Sequence, residues 1–231
     1  MPLHPVSWIR GQVASRLLRT AWGRRQFAMV SELAAFFSWH QATFGPSETL
    51  PTRTALWQRI SSKMRDTGGE WHVIELGVAF GHGAHWWLGH HDASVIETYD
   101  GFDRFTGLPR SWRGFSEGTF DAGGQTPDID DPRVTWHRGN VEETIMSLSD
   151  ARIASGQRLV LFDLDLYEPS RVAWNRLRPI LREGDIIYLD EAYDADEFRL
   201  ISHDIVPSGH FDLVGATPLA IAIAVVSDPS T

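Results

Sequence analysis

The sequence predicts an α/β protein: a mostly parallel sheet flanked by helices, closed by an antiparallel hairpin and preceded by a helical cap. Three observations carry this. From Val73 onward, short apolar runs alternate with stretches of helical periodicity, the pattern of strands joined by crossover helices. The first run, Val73-Ile-Glu-Leu76, passes directly into Gly77, Gly81 and Gly83 and then into an aromatic-rich segment, Ala84 to Leu88, that opens a helix. Strand, glycine turn and helix in that order bring backbone amides and a helix N-terminus up to a ligand. Last, Phe211 to Val214 and Leu219 to Val226 are apolar runs joined by Gly215-Ala-Thr-Pro218, which reads as a hairpin.

The chain of 231 residues predicts one domain, 1–231, with 1–69 as the N-terminal helical cap and 70–231 as the α/β core. A formal charge of −9 argues against a general nucleic-acid binder. The absence of cysteine excludes disulfides and thiolate metal sites and fits a cytoplasmic protein. Nothing is long and apolar enough to predict a membrane span; the longest candidate, Leu219 to Val226, is strand-sized. Ten tryptophans supply aromatic surface of the kind used at interfaces and small-molecule pockets.

Met1 to about Ala42 reads as helical. Ile9, Val13 and Leu17 recur every fourth residue, extended by Leu18 and Ala21, and a second series, Phe27, Val30, Leu33, Ala34 and Phe37, follows. Arg10, Arg16, Arg19, Arg24 and Arg25 accompany them, and no acid precedes Glu32. The reading preferred is a cap or dimer arm, and with it a homodimer or higher homo-oligomer. A transit peptide and a helix simply packed on the core are the alternatives. Gly45-Pro46-Ser47 marks a loop, Thr52 caps a helix carrying Trp57, Ile60 and Met64, and Gly68-Gly69 ends it.

After the organising strand, Val95 to Tyr99 is the second, leading into Asp100-Gly-Phe-Asp103. Phe105 to Pro132 is rich in glycine, proline and acids and too long for a routine connection, which predicts a lid. Val134 to His137 is the third strand, turning at Gly139-Asn140 into a helix from Val141 to Leu148. Arg158 to Phe162 is the fourth, and Pro169 sits in the first turn of the helix that runs to Leu181. Asp185 to Leu189 is the fifth, and Glu197 to Ile205 a further helix.

The glycine spacing is not the G-x-G-x-x-G of a dinucleotide fold, and no Gly-Lys-Ser/Thr follows to make a P-loop. Glu75, on the strand just before the first glycine, suits a ligand with a positive end, such as S-adenosylmethionine (SAM). Acids recur where the carboxyl ends of the strands fall, the ligand side of an open α/β sheet. Asp103 follows the second strand, where a carboxylate can hold a ribose diol. Asp163 and Asp165 follow the fourth, and Asp190-Glu191 the fifth. Adjacent parallel strands would bring Asp163, Asp190 and Glu191 within reach of one ion, and an all-oxygen donor set suits Mg²⁺. Any one of these acids alone reads as a helix cap or a solvated loop end; their joint position favours the site. The histidines make no metal-ligand pattern; His82, His85, His90 and His91 read as structural, with His82 a further cofactor contact.

Five segments resemble the macrocin O-methyltransferase family: Glu75-Leu-Gly-Val-Ala-Phe-Gly81, Gly101-Phe-Asp-Arg-Phe-Thr-Gly-Leu-Pro109, Gly139-Asn-Val-Glu-Glu-Thr144, Asp163-Leu-Asp-Leu-Tyr-Glu-Pro169 and Asp185-Ile-Ile-Tyr-Leu-Asp-Glu191. They stand in the family's order and cover about residues 50 to 226. The resemblance implies a Rossmann-like class I SAM-dependent methyltransferase that transfers a methyl group to a hydroxyl, often on a sugar of a glycosylated natural product, with a divalent metal. It implies Glu75, Gly77 and Gly81 at the methionine end of SAM, Asp103 at its ribose and Asn140 and Val141 near adenine. It implies Asp163, Asp190 and Glu191 as metal ligands. The chain departs from the family at His82-Gly83, at Asn140-Val141, and at Glu191, which stands for a second Asp.

The function expected is therefore a Mg²⁺-dependent O-methyltransferase of a small hydroxylated acceptor, with Asp163 or Asp165 as the base. Trp112, Phe115 and Phe120, with Phe36, Phe37 and Trp39, are expected around the acceptor. A nicotinamide-dependent oxidoreductase and a non-catalytic SAM-binding protein are the rivals.

Overall fold

The computed structural model describes residues 18–227. Of the N-terminal residues singled out above, Ile9, Arg10, Val13, Arg16 and Leu17 lie outside them. The first helix whose bounds lie within the described residues, α1 (Ala21–Phe44), starts after Thr20, whose hydroxyl accepts from the Gly23 N–H at 2.9 Å. Thr52 caps α2 (Arg53–Thr67) in the same way, through the Ala55 N–H, and Gly68 ends it with φ of 71°. There follow β1 (Trp71–Leu76), α3 (His82–His90), β2 (Ile96–Asp103), β3 (Val134–Arg138), α4 (Val141–Thr144), β4 (Gln157–Phe162), α5 (Tyr167–Leu177), β5 (Ile186–Leu189), α6 (Ala195–Arg199), β6 (His210–Ala216) and β7 (Ile221–Val226).

The strands form one sheet in the order β3-β2-β1-β4-β5-β7-β6. β1 pairs in parallel with both β2 and β4, β4 with β5, and β7 runs antiparallel between β5 and β6. The chain order reverses across β1 and β4, which makes the ends of these strands the switch point where ligands bind in open α/β sheets. Alternation along the strands sends side chains to two cores. Ile74, Leu76, Val160, Phe162, Ile187 and Leu189 meet Phe36 of α1 and Trp174 of α5 on one face. Trp71, Val73, Leu159, Leu161 and Ile186 meet Leu56, Ile60 and Met64 of α2 and Trp87 of α3 on the other. Among the described residues, no helix is long and apolar enough to cross a membrane.

The sequence reading is revised most at three elements. β2 continues to Asp103 rather than stopping at Tyr99, because β3 pairs with it through Asp103 and the polar Asp100 is satisfied inside the sheet. His137 Nε2 lies 2.8 Å from one oxygen of Asp100, and Arg152 donates to the other at 3.0 Å. The helix after β3 is a single turn, α4, finished by a 3-10 turn at Ile145–Ser147. The helix read as 197–205 starts at Ala195, capped by Asp194, and widens to a π-helical segment at Leu200–Ile205.

Candidate active site

A cavity of about 690 Å³ opens at the carboxyl ends of β1, β2, β4 and β5, a size ordinary for a small-molecule site. One wall is the turn after β1. Asp103, the last residue of β2, holds that turn: one carboxylate oxygen accepts from the N–H groups of Val78 and Ala79 at 2.8 and 2.7 Å, the other from Phe105 at 2.6 Å. Three donors on a carboxylate with about four lone-pair positions leave room for one more. Gly77 has φ of 91°, and a Cβ on it would stand 1.8 Å from the backbone oxygen of Asp163. Glycine is therefore required where β1 and β4 diverge.

The opposite wall is acidic. Asp163, Asp165, Asp190 and Glu191 all line the cavity, and the parallel pairing of β4 with β5, through Asp190 N–H to Phe162 O at 3.0 Å, brings them together. Enclosure by protein raises the Asp163 carboxyl well above the carboxylate range, and Asp190, Asp165 and Glu197 push the same way. Solvent reaches Asp163 through the cavity, which moderates the first effect. Burial, with Glu191 and Asp190 beside it, lifts Asp165 to about 7. Burial and Asp190 raise Glu191 and Glu197 as well. Asp165 has φ of 61°, and Ala79 and Phe120 on the same cavity have 47 and 69°. Such backbone is unfavourable for a residue with a Cβ and clusters at functional sites.

Two further observations bear on a cation. The Oε2 of Glu191, on this wall, is buried without a hydrogen-bond partner, as is the Oε1 of Glu197 behind it, so acceptor capacity at Glu191 is left unsatisfied. Asp190, in contrast, is occupied: Arg53 donates to one oxygen and the Tyr188 hydroxyl to the other. Among the described residues, no group of three or more acids or histidines is placed to hold a metal ion as it stands.

The segment between β2 and β3 covers the site with Leu108, Trp112, Phe115 and Phe120. Trp112 and Phe115 stack with ring centroids 5.8 Å apart, and Phe120 lies 5.4 Å from Phe115. Arg113 ties the segment down: it donates to Glu32 of α1 at 2.6 Å and to Asp194 before α6, with its guanidinium 5.0 Å over the Tyr193 ring.

Of the residues singled out from sequence, Gly77, His82, Asp103, Asn140, Val141, Asp163, Asp165, Asp190 and Glu191 line the cavity; Glu75 and Gly81 do not. Glu75 is buried beneath the start of α3, where it accepts from the Tyr99 hydroxyl at 2.7 Å and where a Cβ on Gly83 would stand 2.2 Å from it. Burial pushes its carboxyl up to about 8. Gly81, with φ of 78°, caps α3 under Pro127. Trp112, Phe115 and Phe120 reach the cavity, whereas Phe36 and Trp39 instead pack on Phe198, with centroids 6.5 and 5.6 Å away. Arg53, Tyr188, Glu197 and Arg113 were not legible as site residues. Arg53 and Arg113 lie 137 and 81 residues from the carboxylates they meet, Asp190 and Asp194, and no local pattern connects them.

No protein-family model and no curated protein matches the sequence. Three of the solved structures similar to it are as follows. The calicheamicin methyltransferase CalS11 is 20% identical, with 99% of this chain and 95% of that one covered at a TM-score of 0.55. An apo structure of CalS11, a TDP-rhamnose 3′-O-methyltransferase, is 19% identical, with 86% and 94% covered at 0.52. The O-methyltransferase NovP is 16% identical, with 74% and 78% covered at 0.55. At these identities the likeness establishes the fold: with the strand order above, this chain has the α/β, Rossmann-like fold of the class I methyltransferases.

Proposed function

We propose that the chain is a SAM-dependent O-methyltransferase that acts on a hydroxyl of a small natural-product acceptor, a sugar unit first. The observation that carries this reading is one cavity with two unlike walls: a glycine turn clamped by Asp103 on one side and a cluster of partly enclosed carboxylates on the other. The sequence segments similar to the macrocin O-methyltransferases surround it. The calicheamicin neighbour, described as a sugar-nucleotide O-methyltransferase, lends support to a sugar hydroxyl as acceptor.

On this reading Asp103 offers its remaining acceptor position to the ribose, with Asn140 and Val141 beside the adenine. SAM, when bound, supplies an electrophilic methyl group on its sulfonium. The protein's part is alignment and proton removal. Asp165 takes the proton from the acceptor hydroxyl onto a carboxylate oxygen. With no cation beside it, burial and the charges of Glu191 and Asp190 lift Asp165 to about 7, closer to neutral pH than an ordinary aspartate. Trp112, Phe115 and Phe120 hold the acceptor's apolar face and keep water from the methyl group.

The acidic wall suits a divalent cation in charge and in donor chemistry, given the unsatisfied oxygen of Glu191 and the mutual repulsion of the carboxylates, although its acids do not yet converge on one point. Asp163, Asp190 and Glu191 would hold Mg²⁺, which would supply positive charge beside the acceptor oxygen and ease its deprotonation. The test is a screen of sugar-bearing acceptors with S-adenosylhomocysteine release as readout, repeated after exhaustive chelation. Methyl transfer that falls to background on chelation, returns with Mg²⁺ and drops at least about a hundredfold in Asp165→Asn is expected for a general base. Full turnover by protein assayed free of metal would remove the cation from the account, and full turnover by Asp165→Asn would remove that base.

A further inference from the structure

Arg53 is the first residue of α2, directly after its Thr52 cap, and the first turn of that helix has no acid. A cation there faces the positive end of the helix dipole, which disfavours it. Its partner lies across the cavity wall: the guanidinium donates to Asp190, which is 3% exposed, while the Arg53 side chain is 49% exposed and lines the cavity. Tyr188 holds the other oxygen of Asp190. Within the acidic wall the charge of Asp190 is therefore already compensated, while Glu191 Oε2 keeps no partner.

We propose that Arg53 is the resident counter-ion of Asp190 and competes with a divalent cation for that carboxylate. The inference rests on the metal reading above and adds what that reading lacks, a reason why these acids do not converge on one point. With Arg53 in place, one of the three acids assigned to the metal is pinned to the side, toward α2. A cation that recruits Asp190 displaces a guanidinium, and two cations on one carboxylate repel at a separation of a few ångströms. The exchange needs no movement of α2, because the Arg53 side chain is long, flexible and half open to the cavity. The Tyr188 hydroxyl stays on Asp190 throughout and keeps it oriented.

The experiment is direct titration of Mn²⁺, followed by the loss of its free-ion paramagnetic resonance signal, into wild type, Arg53→Gln and Arg53→Lys, with melting curves recorded for each. Arg53→Gln removes the competing charge and is expected to bind Mn²⁺ about tenfold more tightly than wild type. Arg53→Lys, which keeps the charge but loses the planar fork, should tighten binding by a smaller factor. A merely structural role predicts the opposite sign, since a loosened site binds metal less well. Equal or weaker Mn²⁺ binding by Arg53→Gln, while wild type binds, overturns the competition and leaves the metal site standing. No Mn²⁺ binding by any of the three proteins overturns both. If Arg53→Gln does not fold, Arg53→Lys decides by the same sign.

Discussion

The carboxylate of Asp103 and the backbone N–H of Ala79 are 2.7 Å apart, across the gap between the ends of β2 and β1. The acid expected at a ribose is thus also the clamp of the glycine turn, and its two duties can be separated. Asp103→Ala leaves the Val78, Ala79 and Phe105 N–H groups without this acceptor, at about 1–3 kcal/mol for each that water cannot reach. A fall in melting temperature together with weakened SAM binding is expected in calorimetry. Asp103→Asn keeps one side-chain oxygen for the Val78 and Ala79 N–H groups, turns an amide N–H₂ toward Phe105 N–H and loses the charge. Its melting point should lie between wild type and Asp103→Ala while SAM affinity still falls. An Asn variant that binds SAM as tightly as wild type would confine Asp103 to the turn.

Glu75 predicts a pH dependence of stability. Its folded-state value, about 8, is raised from 4.5 by burial, so the folded protein binds this proton more tightly than the unfolded chain. The stabilisation is complete below the unfolded value and is lost as pH rises through the folded one. Between pH 5 and 8 wild type should lose stability from this group, by an amount on the order of a few kcal/mol at most, and Glu75→Gln should not. Urea unfolding of both proteins at the two pH values measures the difference. Parallel pH profiles would mean that Glu75 is ionised in the fold.

Arg113 joins the segment over the cavity to α1 and to the loop after β5. Arg113→Ala removes both ion pairs and the contact with Tyr193, and should free the segment without unfolding the sheet. Limited proteolysis is expected to cut between residues 104 and 132 faster than in wild type, with SAM and acceptor restoring less protection. Unchanged cleavage would show that the aromatic cluster of Trp112, Phe115 and Phe120 holds the segment by itself.

The parts of the fold legible in the sequence are those whose signal is local. Val73–Leu76, Arg158–Phe162 and the apolar run after Asp185 read as buried strands because both faces of a parallel sheet are covered, so nearly every residue is apolar. The acids at their ends were legible for the same reason, since the strand ends locate them. What stayed hidden depends on partners far along the chain. β2 runs on through Asp100 only because His137 and Arg152 satisfy that carboxylate. Glu197 reads as an ordinary helix residue until the fold buries it behind Glu191, whose N–H donates to it at 2.9 Å. Phe36 and Trp39 carry the same aromatic signal as Trp112, yet the packing of α1 on Phe198 commits them to the core side.

The central claim, that the cavity between Asp103 and Asp163 is built for SAM, is tested most directly by calorimetric titration of the wild-type chain with SAM, S-adenosylhomocysteine and NADH, before any acceptor is known. The account predicts saturable one-site binding of SAM and S-adenosylhomocysteine and no heat from NADH. A folded protein that binds neither SAM nor its product, or that binds NADH in their place, would contradict it.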